Sequence, residues 1–390
     1  MKRILLLISI LSGFICCYGQ SSVDRVLQEI EKNNPTLKAA AAEMETERLT
    51  AKSEALLSSP EVEFNYLWGA ENIGARHDLR VSQSFDIPTI TGMRSGKVAS
   101  MNELSRLKYD SERLSLFQEA RGICVDLVYL NSLLSELYSH MEKSRTLVDA
   151  YEKRMKAGGA TVLDLNKAKL HLTAVQGEVN KAETERRSAL SRLTALNGGN
   201  EIAFDSTSYD LEDSLPVDFE TWFKEAAERN PVLEYVRKEV EVGQKQLSID
   251  KTSRLPDLSV GYMSELRTVE KFRGVTVGMS IPLWSSSNKV KKSRAEVAAA
   301  ESRAEAATID FYHRLRNLYM QASALKANSE MMRESLSETD IRDFLVSALS
   351  KGEISMIDYL VETDLYYEAL EETLAAERDY QHALASLKVF

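Results

Sequence analysis

Two periodicities divide the chain. Residues 22–57 place Ala, Glu, Lys and Leu at helical spacing, interrupted at Asn33-Asn34-Pro35, and Pro60 stops the pattern. An alternation of period two follows, with Val62, Phe64, Tyr66 and Trp68 on one face and Glu61, Glu63 and Asn65 on the other. After a loop over 69–76, Leu79, Val81 and Phe85 oppose Arg80, Ser82, Ser84 and Asp86. The same pairing recurs downstream: Leu258, Val260 and Tyr262 oppose Asp257, Ser259 and Gly261, then Val275, Val277, Met279 and Ile281 oppose Gly274, Thr276, Gly278 and Ser280. Strands of about 9 to 11 residues cross a bilayer when tilted, and they equally suit a half-buried hairpin in a soluble protein.

Each hairpin is followed by a long heptad pattern. Leu116, Ile123, Leu130 and Leu137 recur beside Leu127, Leu134, Met141, Val148 and Met155; later Val290, Val297, Ala304, Phe311, Leu318, Leu325, Met332, Thr339 and Val346 form a second series. These spacings predict coiled-coil seams. No proline interrupts 89–157 or 283–351, so each stretch predicts one helix of about 60 residues, roughly 90 Å at the α-helical rise. Gly158-Gly159 and Gly352 end these helices, and shorter ones follow over 161–196 and 355–390. The expected fold class is mostly α with a small β part, built from a duplicated helix-strand-strand-helix-helix unit.

The duplication is written in the prolines. Pro35 pairs with Pro231, Pro60 with Pro256 and Pro88 with Pro282, while Pro216 stands between the sets. Asn34-Pro35-Thr36-Leu37 matches Asn230-Pro231-Val232-Leu233, and Tyr66 and Tyr262 each lie six residues after a proline. The interval from Pro88 to Asp164 equals that from Pro282 to Asp358, 76 residues. This predicts a first repeat over 21–196 with its hairpin at 61–86, a connector over 197–217, and a second repeat over 218–390 with its hairpin at 257–281.

Residues 1–20 read as a signal peptide, with Lys2 and Arg3 ahead of an apolar run from Ile4 and small Gly19 near its end. Cys16 and Cys17 lie within it and offer an alternative acylation site, and Cys124 is then the sole remaining cysteine, too few for an internal disulfide. The net charge of −10 argues against nucleic acid as a partner. Beyond residue 20 no apolar run is long enough for a spanning helix, so a membrane crossing would have to use strands. Four strands cannot close a barrel; three copies of the chain would supply twelve.

Catalytic motifs are lacking. His77, His140, His171, His313 and His382 form no closely spaced pair in the sequence, and there is no phosphate loop, nucleophile elbow or HExxH. No enzyme activity or cofactor is therefore expected, and Cys124, set between Ile123 and Leu127, reads as a packing thiol. At the helix turns Thr161 and Ser355 suit N-caps, with Asp164 and Asp358 three residues on. In a closed bundle of several chains, Asp164, Asp358, Glu362 and Asp364 would be repeated as acidic rings that attract cations.

Together with Ser82-Gln83-Ser84-Phe85-Asp86-Ile87-Pro88 and Gly278-Met279-Ser280-Ile281-Pro282-Leu283, these features resemble the TolC family of outer-membrane efflux channels, over nearly the whole chain after residue 20. The two segments are similar to those of the CzcC and CusC-like branch in heavy-metal efflux. The resemblance implies a homotrimer with a 12-stranded transmembrane barrel and an α-helical tunnel. It implies an outer-membrane location with most of the chain periplasmic, and an adaptor protein and inner-membrane pump as partners. Substrates, metal cations or small toxic compounds, would be conducted passively. It also implies that Gly158, Gly159, Thr161, Gly352 and Ser355 sit at adaptor-docking tips, that Asp358, Glu362, Asp364 and Asp164 stand at the tunnel entrance, and that Phe64, Tyr66, Trp68 and Tyr262 face lipid. One departure is Val361, where the family carries a second aspartate. The rival reading is a periplasmic coiled-coil scaffold whose hairpins pack on its own helices.

Overall fold

The computed structural model describes residues 22–69, 74–85, 88–209, 215–267, 270–281 and 285–388. Residues 1–20, the expected signal peptide with Cys16 and Cys17, lie outside the described residues, as do Asp86 and Pro282.

The elements run α1 (Ser22–Asn33), α2 (Pro35–Glu54), β1 (Glu61–Trp68), β2 (Ala75–Phe85), α3 (Pro88–Lys156), α4 (Val162–Leu196), α5 (Phe219–Arg229), α6 (Pro231–Thr252), β3 (Asp257–Arg267), β4 (Lys271–Ser280), α7 (Ser285–Glu338), α8 (Arg342–Lys351) and α9 (Met356–Leu387). Pro35, Pro88 and Pro231 each open a helix, where the missing amide hydrogen leaves no bond unmade. Asn230 caps α6, its Oδ1 accepting from the amides of Val232 and Leu233 at 3.0 and 3.1 Å.

One expectation fails. The heptads predicted an unbroken helix through 283–351, but the helix stops after Glu338 and restarts at Arg342. Asp340 Oδ1 accepts from the Arg342 amide at 3.3 Å and from its Nε at 2.9 Å, a local turn that competes with the helical ladder. The seam changes register there: Thr339 and Val346 are exposed, and Leu345 and Ala348 are buried instead.

The chain forms two compact units, neither coinciding with one repeat. One contains α1, most of α3, α4, the connector, the C-terminal part of α7, α8 and α9. Its main core joins Val26, Leu27 and Ile30 of α1 to Ile123, Leu127, Leu130, Leu134 and Leu137 of α3 and to Val179, Ala189 and Leu193 of α4. Cys124 is buried in it, and burial pushes its thiol up to about 12, as a packing role requires. The connector belongs to the same core through Ile202 and Phe204, and Asn131 Nδ2 holds it by donating to the Ser206 carbonyl at 2.9 Å.

The other unit contains α2, the strands, α6 and the start of α3 and α7. Polar side chains fasten its helices: Glu47 accepts from Ser105 Oγ at 2.5 Å and from Lys108 Nζ at 3.0 Å. Glu241 accepts from Ser100 Oγ, Lys238 and Lys245, each at 2.8 Å. The four strands form one antiparallel sheet in the order β1-β2-β3-β4. Its register places Val62 opposite Val81, Val81 opposite Tyr262, and Tyr262 opposite Val275, so the apolar positions of all four strands share one face.

Candidate functional site

The apolar face of the sheet is uncovered. Phe64, Tyr66, Leu79, Val81, Val260 and Tyr262 are exposed, as are Trp68 (85%) and Val277 (76%). A scaffold whose hairpins pack on its own helices would bury these residues, so that reading loses its support. The opposite face is polar and paired: Arg80 bridges Glu63 at 3.4 Å, and Arg76 contacts Asp78 at 2.9 Å and Glu265 at 3.2 Å. Small residues line it as well. A Cβ on Gly261 would lie 2.6 Å from the Val81 carbonyl oxygen, so the backbones approach too closely there for any side chain.

Both helix turns are built alike. Gly158 and Gly352 adopt φ of +77° and +79°, the left-handed conformation that terminates a helix. Thr161 and Ser355 then form reciprocal caps: the Asp164 amide donates to Thr161 Oγ1 at 3.1 Å, and Asp164 Oδ2 accepts from the Thr161 amide at 3.0 Å. At the second turn the corresponding distances between Asp358 and Ser355 are both 3.2 Å. Bonds from Thr161 and Ser355 hold the two aspartates below the usual carboxylate range. The turns lie side by side, since Val148, Tyr151, Leu165, Ala168 and Met356 share one cluster. Gly159 and Glu362 are exposed, as are the neighbouring Val162, Leu163, Ile357 and Val361.

Asp364 stands apart from the capping aspartates. Its Oδ1 lies 3.3 Å from His171 Nδ1, and His140 is close by, its ring centre 5.2 Å from that of His171. One ligand atom from each of the three residues falls within 4.8 Å of the others. His140 is 3% exposed, stacks on Tyr367 at 3.7 Å with the rings 4° from parallel, and neither ring nitrogen has a hydrogen-bond partner. Such a group costs on the order of 1–3 kcal/mol. Burial, reinforced by His171 and Lys143, lowers His140 to about 3, so the imidazole is neutral. These residues line a cleft of about 530 Å³ together with Glu136, Glu178, Glu368 and Glu371. The histidines are 31 positions apart on helices joined by the glycine turn, a closeness that chain order hides.

Residues 26–199 and 222–389 match the model of the family described as outer membrane efflux protein. The chain belongs to this family. A search of curated proteins by sequence finds no match. Among solved structures, the outer membrane channel CmeC of Campylobacter jejuni is similar at a TM-score of 0.73 and 15% identity, covering 95% of this chain and 84% of that one. VceC of Vibrio cholerae, an outer membrane protein, gives 0.72 and 14%, with 95% of each chain covered. CusC gives 0.70 and 12%, covering 96% of this chain and 93% of that one. Likeness to CusC is no stronger than to the others, so the fold does not select a heavy-metal branch. This outer membrane efflux protein therefore has the TolC-like fold and resides in the outer membrane with a large periplasmic part. Among the described residues no helix is long and apolar enough to span a membrane.

Proposed function

We propose that three copies of the chain form a continuous channel and passively conduct solutes delivered by a periplasmic adaptor and an inner-membrane pump. The observation that carries this is the sheet: its apolar face is exposed and its terminal strands, β1 and β4, each pair on one side only. Uncovered edges and greasy faces are stable in lipid once strands close on one another, and three sets of four give a twelve-stranded barrel. In this reading Phe64, Tyr66, Trp68 and Tyr262 meet lipid.

The helical turns form the periplasmic entrance. Gly158, Gly159, Thr161, Gly352 and Ser355 present the adaptor-docking tips, and Asp164, Asp358, Glu362 and Asp364 supply its negative charge. The same reading takes 21–196 and 218–390 as two copies of one unit joined by 197–217, supported by the recurrence of helix, helix, strand, strand, long helix and helix, with α7 and α8 together in the place of the second long helix. The energy comes from the pump, and no residue of the chain performs covalent chemistry. The substrate class is metal cations or small toxic compounds.

Extraction in mild detergent followed by single-particle imaging tests the assembly. A three-fold particle with a detergent belt at one end is expected; a soluble monomer or dimer without a belt would overturn the proposal. Planar-bilayer conductance tests the entrance: Asp358→Ala should weaken cation block, and identical behaviour across a salt series would remove Asp358 from it.

A further inference from the structure

We propose that His140, His171 and Asp364 bind one divalent transition-metal cation per chain, with Zn²⁺ the representative ion, clamping α3, α4 and α9 together. This site is assembled within one chain and requires neither a trimer nor a pump.

The donor set is the first argument. Two imidazoles and one carboxylate suit the borderline ions Zn²⁺, Cu²⁺ and Ni²⁺, and offer too few oxygens for Ca²⁺ or Mg²⁺. Geometry is the second. Two ligand atoms about 2.1 Å from a tetrahedral metal lie about 3.4 Å apart, close to the 3.3 Å between His171 Nδ1 and Asp364 Oδ1. One ring nitrogen from each histidine and one carboxylate oxygen of Asp364 lie within 4.8 Å of one another, so rotamer adjustment completes a three-ligand site with a fourth position open to water.

The third argument is His140 itself. A histidine that merely filled the core would pair a ring nitrogen or be replaced by an apolar side chain, yet both nitrogens here are buried and unpartnered. Stacking on Tyr367 fixes the ring plane, as a preorganised ligand requires. The surroundings favour a cation: Glu178, Glu368 and Glu371 line the same cleft, and the Asp364 side chain is 62% exposed, which gives the ion a route in. The competing account is a simple His171–Asp364 ion pair. It leaves the unpaired His140 unexplained.

The test uses the full-length protein in mild detergent, stripped with EDTA and titrated with Co²⁺ followed by visible absorption and with Zn²⁺ followed by calorimetry. One ion per chain is expected, with a d–d band of low-coordinate nitrogen and oxygen ligation. Asp364→Asn and His171→Gln should each weaken binding at least tenfold and abolish the rise in melting temperature that Zn²⁺ gives the unsubstituted protein. Asp364 is exposed, so its variant should retain the apo melting temperature and helical circular dichroism even if His140 variants fold poorly. Absence of the cobalt band, or a band and affinity unchanged in Asp364→Asn and His171→Gln, would overturn the site. Particle symmetry is read separately, so failure of the channel proposal is distinguishable from failure of this one.

Discussion

Arg342 Nη1 donates to Glu136 Oε2 at 2.9 Å, joining the first residue of α8 to the middle of α3. The same guanidinium holds Asp340 at 2.8 Å and lies 4.8 Å from the centre of the Tyr366 ring. One side chain thus secures the place where the second long helix breaks. Arg342→Ala should cost about 1 kcal/mol, as a partly exposed multi-partner ion pair does. Hydrogen exchange should quicken over 339–351 and remain unchanged in α1. Uniform protection would show that packing of Leu345 and Ala348 alone holds α8.

The reciprocal caps at the tips should behave as a matched pair. Thr161→Ala or Ser355→Ala should each cost about 1 kcal/mol, seen as faster exchange in the first turn of α4 or α9 respectively. Exchange quickening in both helices from either substitution would mean that the turns open as one body.

The pH dependence of these turns follows from the aspartates. Both folded pKa values lie below the ordinary 3.8, so their contribution is fully present above that value and is lost as pH falls through the depressed folded pKa. Amide exchange at the tips, corrected for intrinsic rates, should be flat from pH 7 to pH 5 and accelerate below 3.8. Acceleration already at pH 5 would place the controlling group elsewhere.

A lysine on the apolar face of the sheet should be far more damaging than one on the polar face. Val277→Lys should cost about 2–4 kcal/mol if the residue meets hydrocarbon, while Glu61→Lys, on the opposite face, should be tolerated. The readout is the yield of heat-resistant oligomer in outer-membrane extracts. Equal yields would argue that this face never enters lipid.

Gly261 should tolerate no side chain. Even Gly261→Ala places a methyl group 2.6 Å from the Val81 carbonyl oxygen and 2.7 Å from Thr276 Oγ1, so neighbouring strands must part. Reduced oligomer yield is expected, whereas Gly274→Ala, which meets nothing within 4 Å, should be near neutral.

Much of this architecture was legible in one dimension because it rests on short-range periodicity. Alternation of Val62, Phe64, Tyr66 and Trp68 specified a strand with one apolar face, and the heptads through Ile123, Leu130 and Leu137 specified a packed long helix, without knowledge of any neighbour. Glycine at 158 and 352, followed by Thr161 and Ser355, specified the turns because positive φ and N-capping are local demands. The break at 339–341 was not legible, since it depends on a competition between the Asp340–Arg342 turn and a heptad that reads straight through it.

What only the tertiary structure decided is which distant residues meet. The register linking Val81 to Tyr262, the exposure of the sheet's apolar face and the convergence of His140, His171 and Asp364 join segments far apart in the chain. The sequence determined each element through its own backbone preferences and the period of its apolar positions. Contacts between elements depend instead on how those faces choose one another in three dimensions, and it is there that Asp364 comes to lie 3.3 Å from His171, with His140 beside it.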